Sequence, residues 1–392
     1  MPTQKKRNQK QHSNMSKQLN KQIITILENH IEQMNNPYND SKMSNMLYER
    51  LSNSLKESKT IHHDYTLKDM SAPNKAPNQF MSEQIIEHIQ KTLHYQYDIS
   101  FTYKNITFFI QIMFSNKINI QEYIKYIKWV ICFCLMDVKN NKKDTVYFTF
   151  YLTSLKKEFN SSHQTIIKSH NINSGYQASN EICIYRKEEW LKVFIHECFH
   201  VFNMDFHEST ISFSEIFKDT FFIESNFLVF ESFVEFWARI INCAIFTYTL
   251  KPVIKKTEFH TIFSVNMNME RIFSLIQCTK LLKKFDLTYE NIVDKQKEML
   301  SKRIYKEETN AFCYYVITAI LMNCFDKTLQ WFDIHNHLFS FQKSESQIIT
   351  FCHYIKQQAK EPSLIQTLDE ISSSDLYNDV FMKMTLFDIQ IS

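Results

Sequence analysis

The chain has 392 residues and a net charge of +3, with 44% hydrophobic and 22% charged residues. That balance is ordinary for a globular protein of two or three structural units, and it lacks the concentrated basic face that nucleic-acid binding demands. A single glycine excludes phosphate-cradling Walker loops and dinucleotide-binding GxGxxG turns, because both need several. The nine cysteines include no CxxC pair, so buried thiols in a reducing compartment are expected rather than a disulfide framework.

In chain order, residues 1–20 read as a disordered polar tail. They hold no apolar core of the kind a signal peptide needs, so an intracellular location is expected. Residues 21–95 read as an N-terminal helical region. It contains helices over Lys21 to Met34 and Lys42 to Lys56, a loop from Thr60 to Asn78, and a helix in MSEQIIEHIQKTLHYQY with Ser82 as its cap. The alternating ISFTYKNITFFIQIMF predicts a hairpin turning at Lys104 and Asn105. NIQEYIKYIKWVICFCLMDV predicts a helix, and VYFTFYLT and EICIYR predict strands. KEEWLKVFIHECFHVFN then switches to helical period, and from Phe213 the pattern is almost wholly helical. Long helices are expected over Glu224 to Thr249, Phe259 to Phe285 (one or a pair) and Glu307 to Phe325, with an irregular stretch from Glu361. The fold class is α+β, mostly helical, with residues 96–250 as a core and 251–392 as a helical C-terminal subdomain. No stretch of ~20 uncharged apolar residues predicts a membrane span.

The chemistry concentrates in HECFH. His196 and His200 are four apart, so a helix puts both imidazoles on one face. Both could reach one zinc ion at ~2.0–2.1 Å, with Glu197 beside it as general base. The neighbours Val193, Phe194, Ile195, Phe199 and Phe202 are apolar. Three polar groups in such a helix are costly to bury unless satisfied; a metal does that, and so would a histidine–glutamate core network. A zinc site needs a third protein ligand. The extended pattern HExxHxxGxxH fits poorly: Asn203 stands at the glycine, Phe206 at the last histidine, and Asp205 and His207 fall one residue to either side. FESFVEFWARI fits better. Glu231 and Glu235 are two like charges at i and i+4 of an apolar helix and need a cation nearby. Arg239 can pair with Glu235 as a plain salt bridge, which explains Glu231 less well. With zinc present, Glu231 becomes the third ligand and Glu235 accepts the spare N–H of His196.

HECFH followed by ESFVEF on a second helix resembles the glutamate-zincin peptidases, which include thermolysin-like enzymes and toxin peptidases of the anthrax lethal-factor type. NSGY, IYRKEEWLKVFIHECFH and ESFVEFWARI together resemble uncharacterised metallopeptidase-like proteins of large eukaryotic DNA viruses. The resemblance implies a zincin-like core, with a small twisted sheet, an active-site helix and a helical half that brings the third ligand. It implies one Zn2+ per chain, a peptide or protein substrate, hydrolysis with Glu197 as base, and a place in the host cytoplasm or the virus particle. Neither nucleic acid nor a membrane is an expected partner. Lethal-factor-type enzymes carry a tyrosine shortly before the ligand glutamate; here Phe221 and Phe222 stand in that region. The oxyanion donor is therefore sought in Tyr314 and Tyr315, with His260 behind them, although that tyrosine pair also suits ordinary helix packing. The exopeptidase signature GxMEN is absent. Gly175 is read as a positive-φ turn or a close backbone approach, near an edge strand that pairs with substrate in zincins. Two alternatives remain: a catalytically inactive zinc-stabilised structural or host-interaction protein, and a zinc-free helical interaction protein.

Overall fold

Alternation in residues 95–114 produces β2 (Tyr95–Tyr103) and β3 (Ile106–Phe114), an antiparallel hairpin in register Tyr103↔Ile106. Lys104 and Asn105 turn it with φ of 47° and 62°, the doubly positive geometry that suits the strand twist. The computed structural model describes residues 41–69, 81–136, 143–159, 166–336, 338–374, 381–389 and 391. The expected tail, the helix over Lys21 to Met34 and most of the second half of the loop to Asn78 lie outside the described residues.

The sheet has six strands in the order β1-β2-β3-β4-β6-β5. β4 (Thr145–Tyr151) lies parallel to β3, β6 (Glu181–Ile184) lies parallel to β4, and β5 (Gly175–Ala178) closes the edge antiparallel to β6. The other edge is β1 (Asp64–Asp69), inside the stretch expected to be a loop. All six of its residues are exposed, so the alternation of Tyr65 and Leu67 buries no face and pairing with β2 makes it a strand. α1 (Ser41–Thr60) precedes it. α2 (Glu83–Thr92) is shorter than its apolar pattern suggested, because Tyr95–Tyr97 enter β2. Ser82 holds the N-cap position without a side-chain capping bond. Ile85, Ile89 and Leu93 cover one patch of the sheet's outer face, over Met113, Tyr151 and Cys183.

The inner face carries Phe108, Phe148 and Phe150. Against it lies α4 (Trp190–Val201), with Phe194 edge-on to Phe148 at 5.1 Å and Trp190 edge-on to Phe150 at 6.0 Å. α3 (Ile120–Leu135) connects β3 to β4 and packs on α1, where the Trp129 indole donates to the Leu51 carbonyl. On the far side of α4 runs α5 (Val229–Thr249). It starts five residues later than expected, because Phe227 takes φ 47° among the rings of Phe217, Phe221 and Phe312. α6 (Lys256–Lys283) is one unbroken helix. A π-helical turn at Phe312–Ile317 runs into α7 (Thr318–Asn323), followed by α8 (Phe325–His335), α9 (Glu345–Gln358) and α10 (Pro362–Ser372). α10 corrects the expected irregular stretch: Pro362 starts it, and Leu364, Leu368 and Ile371 face the core.

One apolar core runs from Met43 in α1 to Ile391. The nine cysteines are buried thiols. Among the described residues no helix is long and apolar enough to cross a membrane. Residues 381–389 form a strap under the foot of α4. Its backbone polar groups are met by buried side chains, as an irregular buried segment requires. Glu189 accepts from the amides of Met384 (2.7 Å) and Thr385 (2.6 Å), and Glu270 accepts from Leu386 N and the Thr385 hydroxyl.

Gly175 has no positive φ. Its reason is space: a Cβ there would stand 2.7 Å from the Cys183 carbonyl oxygen and 3.0 Å from Val193 Cγ1. Gly175→Ala should therefore cost about 1–3 kcal/mol of stability through overpacking, measurable by urea unfolding. Burial pushes the Glu270 carboxyl up from 4.5 to about 7, against the pull of Arg239. Between those values the folded state holds a proton that the unfolded chain has released, so stability falls as pH rises through the window and levels above it. Glu270→Gln should remove a slope of up to about 3 kcal/mol, seen by comparing the two proteins in urea at pH 5 and pH 8.

Candidate metal centre

Lys192, His196 and His200 form one stripe of α4, four residues apart. Glu231, Glu235 and Arg239 form one stripe of α5. The two stripes meet in opposite directions. Glu235 takes Lys192 Nζ at 2.9 and 3.0 Å, Arg239 Nε at 2.9 Å and His196 Nδ1 at 3.1 Å. Glu231 Oε2 stands 3.1 Å from His196 Nε2 and 3.4 Å from His200 Nε2, and the two Nε2 atoms are 3.1 Å apart.

Asp205 completes the frame. α4 ends in a left-handed turn at Asn203, φ 56°, with Met204 N bonded to the Phe199 carbonyl at 2.8 Å and Asn203 N to that of His200 at 2.9 Å. This is the glycine-type helix stop, occupied here by an asparagine. It sends the chain back so that the buried Asp205 meets His200 Nδ1. Asp205 also accepts from His207 N at 3.1 Å and meets the His207 ring. Asp205 and His207 are thus drawn to the outer side of His200, away from the point where the two Nε2 atoms converge.

Each imidazole therefore presents Nδ1 to a carboxylate, which fixes the proton there and leaves the Nε2 lone pair facing inward. Two lone pairs and a carboxylate oxygen converge with no donor between them. Ligands of a tetrahedral ion at ~2.0–2.1 Å stand about 3.3–3.4 Å apart, close to the spacings observed. Buried acceptors at such distances repel unless a cation lies among them. His196, His200 and Glu231 can hold a metal ion, and the donor set fits one. Without a metal, a proton on the imidazoles takes the cation's part: burial raises the Glu231 carboxyl, but the charge of a protonated His200 and a hydrogen bond from His196 then outweigh it and bring it down to about 2. Burial likewise raises the Asp205 carboxyl, and the His200 and His207 rings more than offset it.

Glu197 is 6% exposed beside these groups, and its carboxylate has no hydrogen-bond partner among the described residues. Burial raises its carboxyl above the usual range, with the two imidazoles pulling against it. Tyr314 packs edge-on to His196 with ring centroids 5.8 Å apart. Tyr315 is not brought to the centre: its hydroxyl donates to the Met382 carbonyl at 2.6 Å. Adjacent helical residues point to different sides, so only one of the pair can face the histidines. His260 is also elsewhere, in contact with Ser44 of α1 at 2.6 Å from Nδ1 to Oγ. Sequence reasoning missed Lys192, whose signal was its place one turn before His196. It also missed Asn310, whose Nδ2 donates to Glu231 Oε1 at 3.1 Å.

Comparison with protein-family models, with curated proteins and with solved structures finds no match to this chain.

Glu231→Ala should abolish tight metal binding. Asp205→Asn should weaken it about 10- to 100-fold, because the His200 tautomer is no longer held. Elemental analysis and chelator competition read both outcomes.

Proposed function

We propose that the chain is a zinc-dependent peptidase of the glutamate-zincin type, with His196, His200 and Glu231 as ligands. The convergence of their three inward-facing lone pairs carries the reading. Two imidazoles and one carboxylate are a donor set of catalytic zinc, which leaves a fourth position open. The order of sheet, HECFH helix and glutamate-bearing helix supports the type.

Zinc held there supplies Lewis acidity, polarising a carbonyl and lowering the pKa of water toward about 7. The chain does the rest. Glu235 and Asp205 hold the two histidines in one tautomer. Glu197 takes a proton from the attacking water and passes it to the leaving nitrogen. Its lack of another partner leaves it available for both steps. Tyr314 serves as hydrogen-bond donor to the developing oxyanion; burial raises its hydroxyl well above the usual value, so the donor proton is retained. The outer edge of β5, antiparallel to β6, offers main-chain hydrogen bonds to an extended peptide.

Burial of the centre favours a second reading, since His196 and Glu197 are each 6% exposed and Glu231 9%. In that reading the zinc stabilises a structural or host-interaction protein without turnover. Cleavage of a peptide library by the zinc-loaded protein separates the two. The peptidase reading expects cleavage that falls at least about 100-fold in Glu197→Gln with zinc content unchanged. No cleavage by either protein would favour the scaffold.

A further inference from the structure

The segment just before the π-helical turn is fastened on several sides. Glu307 collects the Ser225 hydroxyl at 2.6 Å, the Tyr305 hydroxyl at 2.7 Å and Phe312 N at 2.8 Å. Ile167 bridges the segment through its own N to the Lys306 carbonyl at 3.0 Å, and through its carbonyl to Glu308 N at 2.8 Å. The Thr309 hydroxyl donates to Asn173 Oδ1 at 2.9 Å, two residues before β5.

Asn310 is the residue this frame holds out toward the centre. Its Nδ2 donates to Oε1 of Glu231 at 3.1 Å, while Oε2 of the same carboxylate faces both histidines. Its carbonyl accepts from Tyr314 N at 3.0 Å and so sets the turn that lays Tyr314 against His196. A primary amide suits this place. It donates to the outer oxygen, carries no charge to compete with a metal, and leaves one inner oxygen free. A carboxylate would repel Glu231, and an ammonium would neutralise it.

We propose that Asn310 is a positioning residue, which acts on the metal through Glu231 by occupying one carboxylate oxygen and so presenting only the other to the ion. The proposal rests on the metal centre described above. Asn310 is only half-buried, so its side chain contributes little to the fold.

The test uses the full chain, wild type beside Asn310→Ala and Asn310→Asp. Zinc affinity is measured by chelator competition, the visible spectrum is recorded after cobalt(II) substitution, and thermal unfolding of the metal-stripped proteins is compared. Expected are a loss of zinc affinity of about 10- to 100-fold in Asn310→Ala, a larger loss in Asn310→Asp, an altered cobalt band in both, and little change in the metal-stripped unfolding temperature. A wild type that binds zinc, with both variants within about twofold of it and an unchanged cobalt spectrum, overturns the role of Asn310 and leaves the metal centre standing. An affinity loss matched by an equal loss of metal-stripped stability also overturns it, as a structural effect. A wild type that binds no zinc overturns the metal centre itself.

Discussion

Two apolar helices meet across a stripe of ionisable side chains, and most of the structure is arranged around that contact. α4 contributes Lys192, His196 and His200, and α5 contributes Glu231, Glu235 and Arg239. Carrying such groups into a core is expensive, and removing one partner from a buried ion pair costs roughly 3–5 kcal/mol. The chain compensates by giving Glu235 two cations and an imidazole N–H, and by giving each histidine its own carboxylate. At Glu231 the compensation is incomplete. Three acceptors are left pointing at one another, and the centre stays short of one positive charge that only a proton or a metal can supply.

The surrounding elements keep that unfinished contact from relaxing. The sheet presses phenylalanines against one side of α4 and leaves its polar stripe toward α5. The turn at Asn203 returns Asp205 to His200. The π-helical turn leaves the Cys313 carbonyl to accept from the hydroxyls of Ser232 in α5 and Thr318, which ties the segment of Tyr314 to the helix that carries Glu231. π-bulges recur at functional sites, and this one carries Tyr314 and Tyr315 on different sides.

What the sequence disclosed follows from the range of its signals. His196, Glu197, His200, Glu231 and Glu235 were readable because spacing of one or four on an apolar helix is a local fact, and charge in such a helix demands a reason. β2, β3 and β4 alternate or are strongly apolar, and α10 could have been read from the spacing of Leu364, Leu368 and Ile371. β1 gave a weaker signal, because only Tyr65 and Leu67 alternate within it and its partner strand lies some 30 residues on. Tyr314 and Tyr315 are chemically alike neighbours, and only packing decides which one turns toward the histidines. Asp205 and Asn310 are single polar residues outside any period. Their contacts exist only once a backbone turn has brought Asp205 to His200 and a remote loop has brought Asn310 to Glu231.

The strap beneath α4 also has a meaning in time. Glu189 opens the helix that carries both histidines, and its carboxylate is met by amides 195 residues further along the chain. Closing so long a loop is slow relative to forming a helix. During synthesis those amides emerge 195 residues after the helix they secure, so the histidine helix is made before its foot can be fastened. A growing chain thus carries the two imidazoles before it can hold them rigidly.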